Sequence, residues 1–205
     1  MPQRTDFDPA ELGYAFYGLM TSVILPRPIA WVSSISADGV ENLAPHSFFT
    51  VACVNPPVIQ FTSVGRKDSQ SNIEATREFV VCLTPEWLFE QVNATGTDFP
   101  ADVSEFEAVG VTREPSERVR PARVAESPVA LECVLQDTLS FGDSTIVFGR
   151  VVLAAVADSA LTDGRPDVRK LKPLARLGGH EWSRLGEVAS ISRISHRDWP
   201  GHYSG

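Results

Sequence analysis

Between Thr62 and Ser69 the sequence gathers groups that suit one kind of chemistry. Ser63 ends an apolar run, Gly65 follows, and Arg66 and Lys67 lead into a helix start at Asp68 or Ser69. Hydroxyls, two cations and the free N–H groups of a helix N-terminus are what a phosphate requires. The spacing is not that of a Walker loop, because GxxxxGK[ST] is missing. On spacing alone a solvated basic turn with a helix cap is the favoured reading. Like-charge repulsion gives Asp68 a role in capping or in orienting the cations rather than in touching an anion.

Other chemistries find less support. No GxSxG elbow accompanies His46, and no acid partner is placed for a Ser–His hydrolase. His46, His180, His196 and His202 show no i, i+4 pairing, so no zinc site is expected. No GxGxxG follows a strand, so no dedicated dinucleotide domain is expected. Cys53, Cys82 and Cys133 are odd in number, far apart and set in apolar surroundings. They read as small buried hydrophobes in strands, and a reducing cytoplasm as the compartment.

The elements that must position the basic turn are short and β-rich. Residues 29–35, 42–53, 58–63, 79–84, 128–141 and 144–156 read as strands separated by Gly and Pro. Pro45 interrupts the second and is expected to end its ladder pairing, freeing backbone groups for a ligand. Helices are expected at 14–20, from 69 to 77, over 86–95 with Pro85 in the first turn and Thr84 as cap, and at 104–109. Residues 96–120 otherwise read as an acidic loop and 163–167 as loop. The pattern predicts one mainly β domain, a six- or seven-stranded antiparallel barrel with helices over its openings.

Length and composition agree. The 205 residues, 43% hydrophobic and 21% charged, suit one globular domain. No run approaches the roughly 20 apolar residues of a membrane span, and no secretory signal is visible. A formal charge of −8 disfavours nucleic acid as a partner while leaving room for a small anion. The expected organisation is a loosely held segment 1–13, a domain over 14–185 and a C-terminal extension over 186–205.

Seven blocks occur in an order that resembles the flavin reductase-like family. They are Arg-Pro-Ile-Ala-Trp-Val-Ser-Ser-Ile (27–35), Asp-Gly-Val-Glu-Asn-Leu-Ala-Pro-His-Ser-Phe-Phe (38–49), Asn-Pro-Pro (55–57), Lys-Asp-Ser-Gln-Ser-Asn-Ile (67–73), Glu-Phe-Val-Val (78–81), Ser-Pro-Val-Ala-Leu-Glu-Cys (127–133) and Arg-Leu-Gly-Gly-His (176–180). The resemblance spans about residues 14–185. It implies a split β-barrel of Greek-key type, a homodimer, and one FMN per subunit near the subunit interface. It further implies electron transfer from NADH or NADPH to flavin, in some members for a partner monooxygenase. A flavin-binding electron carrier or sensor without nicotinamide turnover is the alternative; a pyridoxal-phosphate or haem-handling relative is a third. In such a protein the cofactor does the electron chemistry and no catalytic side chain is required.

The resemblance also assigns residues. Ser63, Arg66, Lys67 and Ser69 would hold the phosphate, with Lys-Asp-Ser standing where many members have Lys-Asp-Thr. Trp31, Val32, Ser33 and Ser34 would offer a strand edge to the ring. Asn42, Ala44, Pro45, His46, Ser47 and Phe48 would form a second flavin-lining strand. His46 stands where many relatives carry an aromatic or apolar residue, so it would tune the flavin, steer nicotinamide or lie on the surface. Gly178, Gly179 and His180 would approach from the C-terminal side, with Trp182 as the aromatic that follows them. A barrel-core tryptophan, an irregular edge strand and a Gly-rich turn are the plainer readings of the same residues.

Overall fold

The computed structural model describes residues 2–201. Seven antiparallel strands form its main sheet: β1 (Ala30–Ile35), β2 (Glu41–His46), β3 (Phe49–Cys53), β4 (Val58–Val64), β5 (Glu78–Cys82), β6 (Val129–Phe141) and β7 (Ser144–Val156). Their order is β2-β1-β5-β6-β7-β4-β3. The strands at the two ends of that order, β2 and β3, are separated by Ser47 and Phe48 alone. The sheet must therefore curl until its ends meet. The Thr62 N–H in β4 donates to the Phe48 carbonyl at 2.9 Å, carrying the β3–β4 ladder up to the crossing. The expected barrel is thus present, with seven strands.

Both faces of the sheet are covered, which explains the nearly continuous apolar run at 29–35. Ala30 and Val32 point into the barrel with Ile59, Phe61, Phe79, Val81, Cys133, Leu135 and Val147. Ile73 of helix α2 (Asp68–Thr76) joins this interior, so that helix plugs one end. Trp31, Leu43, Val80, Cys82 and Ala130 point outward. Over them pack Val92 of α3 (Phe89–Ala94), Phe106 of α4 (Glu105–Val109), and Val119, Ala122 and Val124. A further helix, α1 (Phe16–Val23), precedes the barrel, and Arg27–Pro28, Ala175–Arg176 and Trp182–Ser183 form a small sheet beside it.

Gly149 shows how tightly the interior is filled. A Cβ built there would stand 2.2 Å from Phe79 Cζ, in a strand with a register shift at Phe148/Gly149. Gly149→Ala is expected to destabilise the fold by about 1–3 kcal/mol, the usual range for overpacking. Urea unfolding measures it; an unchanged midpoint would mean that Phe79 moves aside freely.

Several local expectations are corrected. Pro45 does not end the ladder: Trp31 pairs with Pro45 and Ala30 with His46. An end strand has a side without ladder bonds, and proline is tolerated there. The break falls instead at Ser47–Phe48. The helix over 86–95 is a 3-10 turn, Glu86–Leu88, followed by α3. Pro85 stays extended, bridged to Pro173, and Thr84 does not cap, its carbonyl instead accepting from Leu174 N. Helix α2 begins at Asp68 with Lys67 as its uncapped boundary and ends at Thr76. Residues 161–166 form a two-strand hairpin rather than loop, and Arg113–Glu114 pairs with Arg123–Val124 inside the expected acidic loop. Cys82 and Cys133 are buried, but Cys53 is exposed because nothing in the single chain covers that part of β3. The segment before residue 14 contains a helical turn, Pro9–Leu12, capped by Asp8. His202 lies outside the described residues. Among the described residues no helix is long and apolar enough to cross a membrane.

Candidate functional site

One cavity lies where the barrel seam, the N-terminus of α2 and the loop after α3 converge. Asn42, Ala44, Pro45 and His46 of β2 line it, followed by Ser47 and Phe48 at the crossing to β3. Thr62 and Val64 of β4, Lys67 just before α2, Asp68 and Ser69 of α2, and Tyr17 of α1 also line it. Thr95, Gly96, Thr97, Asp98, Phe99 and Glu105 complete the lining. Gly96 packs against Pro45, with Pro45 Cγ 3.5 Å from where a Cβ would stand.

The floor is a chain of hydrogen-bonded side chains. Asn42 Nδ2 donates to Ser69 Oγ at 3.1 Å and lies 3.4 Å from Ser34 Oγ, which also accepts from Asn72 Nδ2 at 3.3 Å. Ser69 Oγ lies 3.2 Å from His46 Nε2. The His46 ring rests on Phe61, centroids 4.6 Å apart. Burial pulls its pKa down to about 4, against the Thr62 carbonyl, which favours a ring proton; Lys67 adds to the lowering. His46 is therefore a neutral cavity residue and not a surface one. A ring proton on Nδ1 lets Nε2 accept from the Ser69 hydroxyl, whose oxygen already accepts from Asn42. Nitrogen-detected NMR is expected to show His46 as the Nδ1–H tautomer throughout the pH 5–7 range, titrating only near pH 4. A midpoint near that of free histidine would overturn this assignment.

Charge is unevenly placed. Lys67 Nζ meets Asp98 at 3.1 Å, but both side chains are exposed, so the pair is weak and the cation free to turn to a ligand. No side chain caps α2, which leaves the first N–H groups of a nine-residue helix without an internal partner. Glu105 is buried and accepts from Leu43 N at 2.8 Å. Burial raises its pKa above the usual carboxylate range in spite of that bond, and Asp68 adds to the rise.

The structure brings Asn42, Ala44, Pro45, His46, Ser47, Phe48, Lys67 and Ser69 together here. It does not bring the others. Trp31 and Val32 are core residues, and with Ser33 their strand is paired on both sides, so it offers no free edge. Ser33 Oγ is buried without a hydrogen-bond partner, on the same outward face as Trp31. Ser34 supports the floor from behind. Ser63 Oγ donates to the Gly65 carbonyl, and Arg66 turns to Glu74 at 2.8 Å. Gly179 and His180 sit in an exposed turn. The bareness of Gly178 serves α1 instead, since a Cβ there would stand 2.6 Å from Ser22 Oγ. From the same hairpin, Arg176 and Trp182 line a second groove, which shares Pro45, Ser47 and Gly96 with the main cavity.

Tyr17, Thr62, Val64 and residues 95–99 were given no cofactor role by the sequence reading, although Thr62 and Val64 stand in the 62–69 segment and 95–99 among the loops over 93–125 expected to shape the cleft. The run Thr-Gly-Thr at 95–97, hydroxyls flanking a glycine directly after a helix, was the available signal. Glu105 carried none, because its burial depends on the Leu43 amide across the fold.

Comparison with known proteins fits this architecture. A model of the flavin reductase like domain matches residues 20–174. An uncharacterised protein of Aquifex aeolicus (strain VF5) is 39% identical over 173 residues, covering 82% of this chain and 88% of its own. Nitrilotriacetate monooxygenase component B from Bacillus cereus superposes with a TM-score of 0.89 at 33% identity, covering 93% of this chain and all of that one, 100%. Pseudomonas fluorescens 2-nitrobenzoate 2-nitroreductase NbaA gives 0.88 at 30% identity, covering 96% and 100%. A Shewanella frigidimarina protein with a split barrel domain, 20% identical with a TM-score of 0.84 over 93% of this chain and 100% of that one, shares the fold. A seven-stranded closed sheet, a site at its seam and a family match over most of its length together make this chain a member of the flavin reductase-like family.

Proposed function

We propose that the seam cavity binds FMN and that the protein is an NAD(P)H-dependent flavin reductase. The observation that carries this reading is one cavity that combines two unlike sets of groups. Lys67 and the uncapped first turn of α2 are a donor set suited to a phosphate. Tyr17, Pro45, Phe48 and Phe99 offer flat or apolar surfaces suited to a conjugated ring. Ser69 and Asn42, hydrogen-bonded to each other, suit the hydroxyls of a sugar-like linker. Bound there, FMN would accept hydride from a reduced nicotinamide and pass electrons on. The chain's own part is to hold and shield. Lys67 and the α2 amides fix one end, the Thr95–Phe99 loop limits water, and neutral His46 adds no charge beside the ring.

Two further features of the reading concern partners. The relative named as a monooxygenase component supports delivery of electrons to a separate flavin-dependent monooxygenase. Exposed Val51 in β3, Val54 just after it, and Leu139 and Phe141 at the end of β6 support a homodimer, because apolar side chains this exposed on a lone chain call for a partner.

Titration of the purified chain with FMN, FAD and riboflavin, followed by NADH or NADPH without oxygen, tests the reading. FMN is expected to bind tightest and its visible absorbance to bleach. Equal affinity for FMN and riboflavin would remove the phosphate assignment. Bound FMN that neither nicotinamide bleaches would leave a flavin carrier in place of a reductase.

A further inference from the structure

The groove beside the main cavity contains an unusual arrangement of charge. Arg27 and Arg176 are direct cross-strand partners, and like charges so placed repel. In a chain of net charge −8, neither pairs with a carboxylate among the described residues. Arg27 is 7% exposed and spends its terminal nitrogens on the carbonyls of Thr21, Ile24 and Leu177; its Nε has no partner. Arg176 reaches the groove. Its one hydrogen bond goes to the Gly179 carbonyl at 2.8 Å, and its guanidinium lies 4.7 Å from the centre of the Trp182 ring. Phe89 meets that indole edge-on at 5.2 Å and fixes it. Burial and the neighbouring Arg27 both act against the charge on Arg176, while Tyr17 favours it. An incoming anion relieves this strain and draws the guanidinium off the Trp182 ring that it lies over, which leaves the indole as a flat apolar surface.

We propose that this groove is a subsite for a one-ring aromatic carboxylate, with the carboxylate on Arg176 and the ring against Trp182. The groove presents one cation and one indole, which match one oxyanion and one ring. A dinucleotide, with two nucleosides and a pyrophosphate, needs more. Ile29 and Asn93 form the rest of the wall, and through Pro45, Ser47 and Gly96 the bound acid lies against whatever fills the main cavity. The subsite stands on Arg27, Arg176 and Trp182 and does not require the FMN reading to hold.

Calorimetric titration of the full chain with benzoate, benzamide, cyclohexanecarboxylate and inorganic phosphate tests it. Benzoate is expected to bind about tenfold or more tighter than benzamide, the span of one charge-assisted contact, and tighter than the unflattened ring acid. It is expected to shift the Trp182 indole signal in NMR. Arg176→Gln should abolish the preference for benzoate over benzamide, and Trp182→Leu the preference for benzoate over cyclohexanecarboxylate. Equal binding of benzoate and benzamide would overturn the proposal. So would displacement of benzoate by an equal concentration of phosphate, benzoate binding that Arg176→Gln leaves intact, or an unmoved Trp182 signal. The ligand comparison uses the native chain and decides the matter even if the variants fail to fold.

Discussion

Lys67→Glu is expected to weaken FMN binding by well over tenfold while leaving riboflavin binding nearly unchanged. A charge-assisted contact contributes about 1.5–3 kcal/mol, which is roughly 10- to 150-fold in affinity. Charge reversal adds repulsion to that loss, next to Asp68 at the start of α2. Riboflavin lacks the phosphate and so reports on the rest of the site. The fold should not change, because Lys67 is exposed and its partner Asp98 is 92% exposed; such a pair contributes little to stability. Fluorescence titration with both flavins measures the effect, and a melting curve checks the fold. Equal losses for FMN and riboflavin would show that Lys67 shapes the cavity without reading a phosphate. No loss for either would place the phosphate elsewhere.

The sequence carried the barrel well and the site in halves. Strand positions were legible because Gly and Pro punctuate them and because a strand buried on both faces, such as 30–35, reads as a continuous apolar run. The barrel was legible from its run of short strands and turns, but the place where it closes was not. Closure follows physically from the two-residue crossing at Ser47–Phe48, which a local reading places elsewhere because Pro45 is the louder signal. The β2 residues and Lys67 reached the cavity because consecutive positions on one element travel together. Arg66 and Ser63 did not, although they neighbour Lys67. Glu74, in the last turn of α2, draws Arg66 away, and the Gly65 carbonyl takes the Ser63 hydroxyl. Trp31 failed for a different reason. Its Nε1 donates to Thr95 Oγ1 at 2.8 Å, so the tryptophan holds the 95–99 loop from below instead of facing a ligand. That bond spans 64 positions, and no local pattern announces it.

Glu132→Gln is expected to lower stability by about 3–5 kcal/mol, the range for removing one partner of a buried ion pair. Glu132 is 0% exposed in β6 and points outward, under residues 112–124. It accepts from the Glu117 N–H at 2.9 Å, the Arg118 N–H at 2.6 Å and two nitrogens of Arg123. Burial alone would raise its pKa, but these donors more than offset that and hold it below the usual 4.5. The native state therefore binds the proton less readily than the unfolded chain. The stabilisation is complete above pH 4.5 and is lost as pH falls through the lower, folded value. Urea unfolding of the wild type should show this acid limb, and Glu132→Gln should lack it. Arg123→Met with Glu132→Met should be more stable than Glu132→Met alone, because the single variant leaves the buried Arg123 held only by Glu114, a half-exposed partner. Equal stability of wild type and Glu132→Gln would overturn the argument. The consequence reaches the cavity as well. The 112–124 segment holds Arg113, which pairs with Glu41 and Glu107, and Glu107 belongs to α4. Helix α4 starts at Glu105, a wall of the seam cavity. Loosening the cover over Glu132 should thus weaken ligand binding through α4, and restoring the cover with the double methionine variant should return part of it.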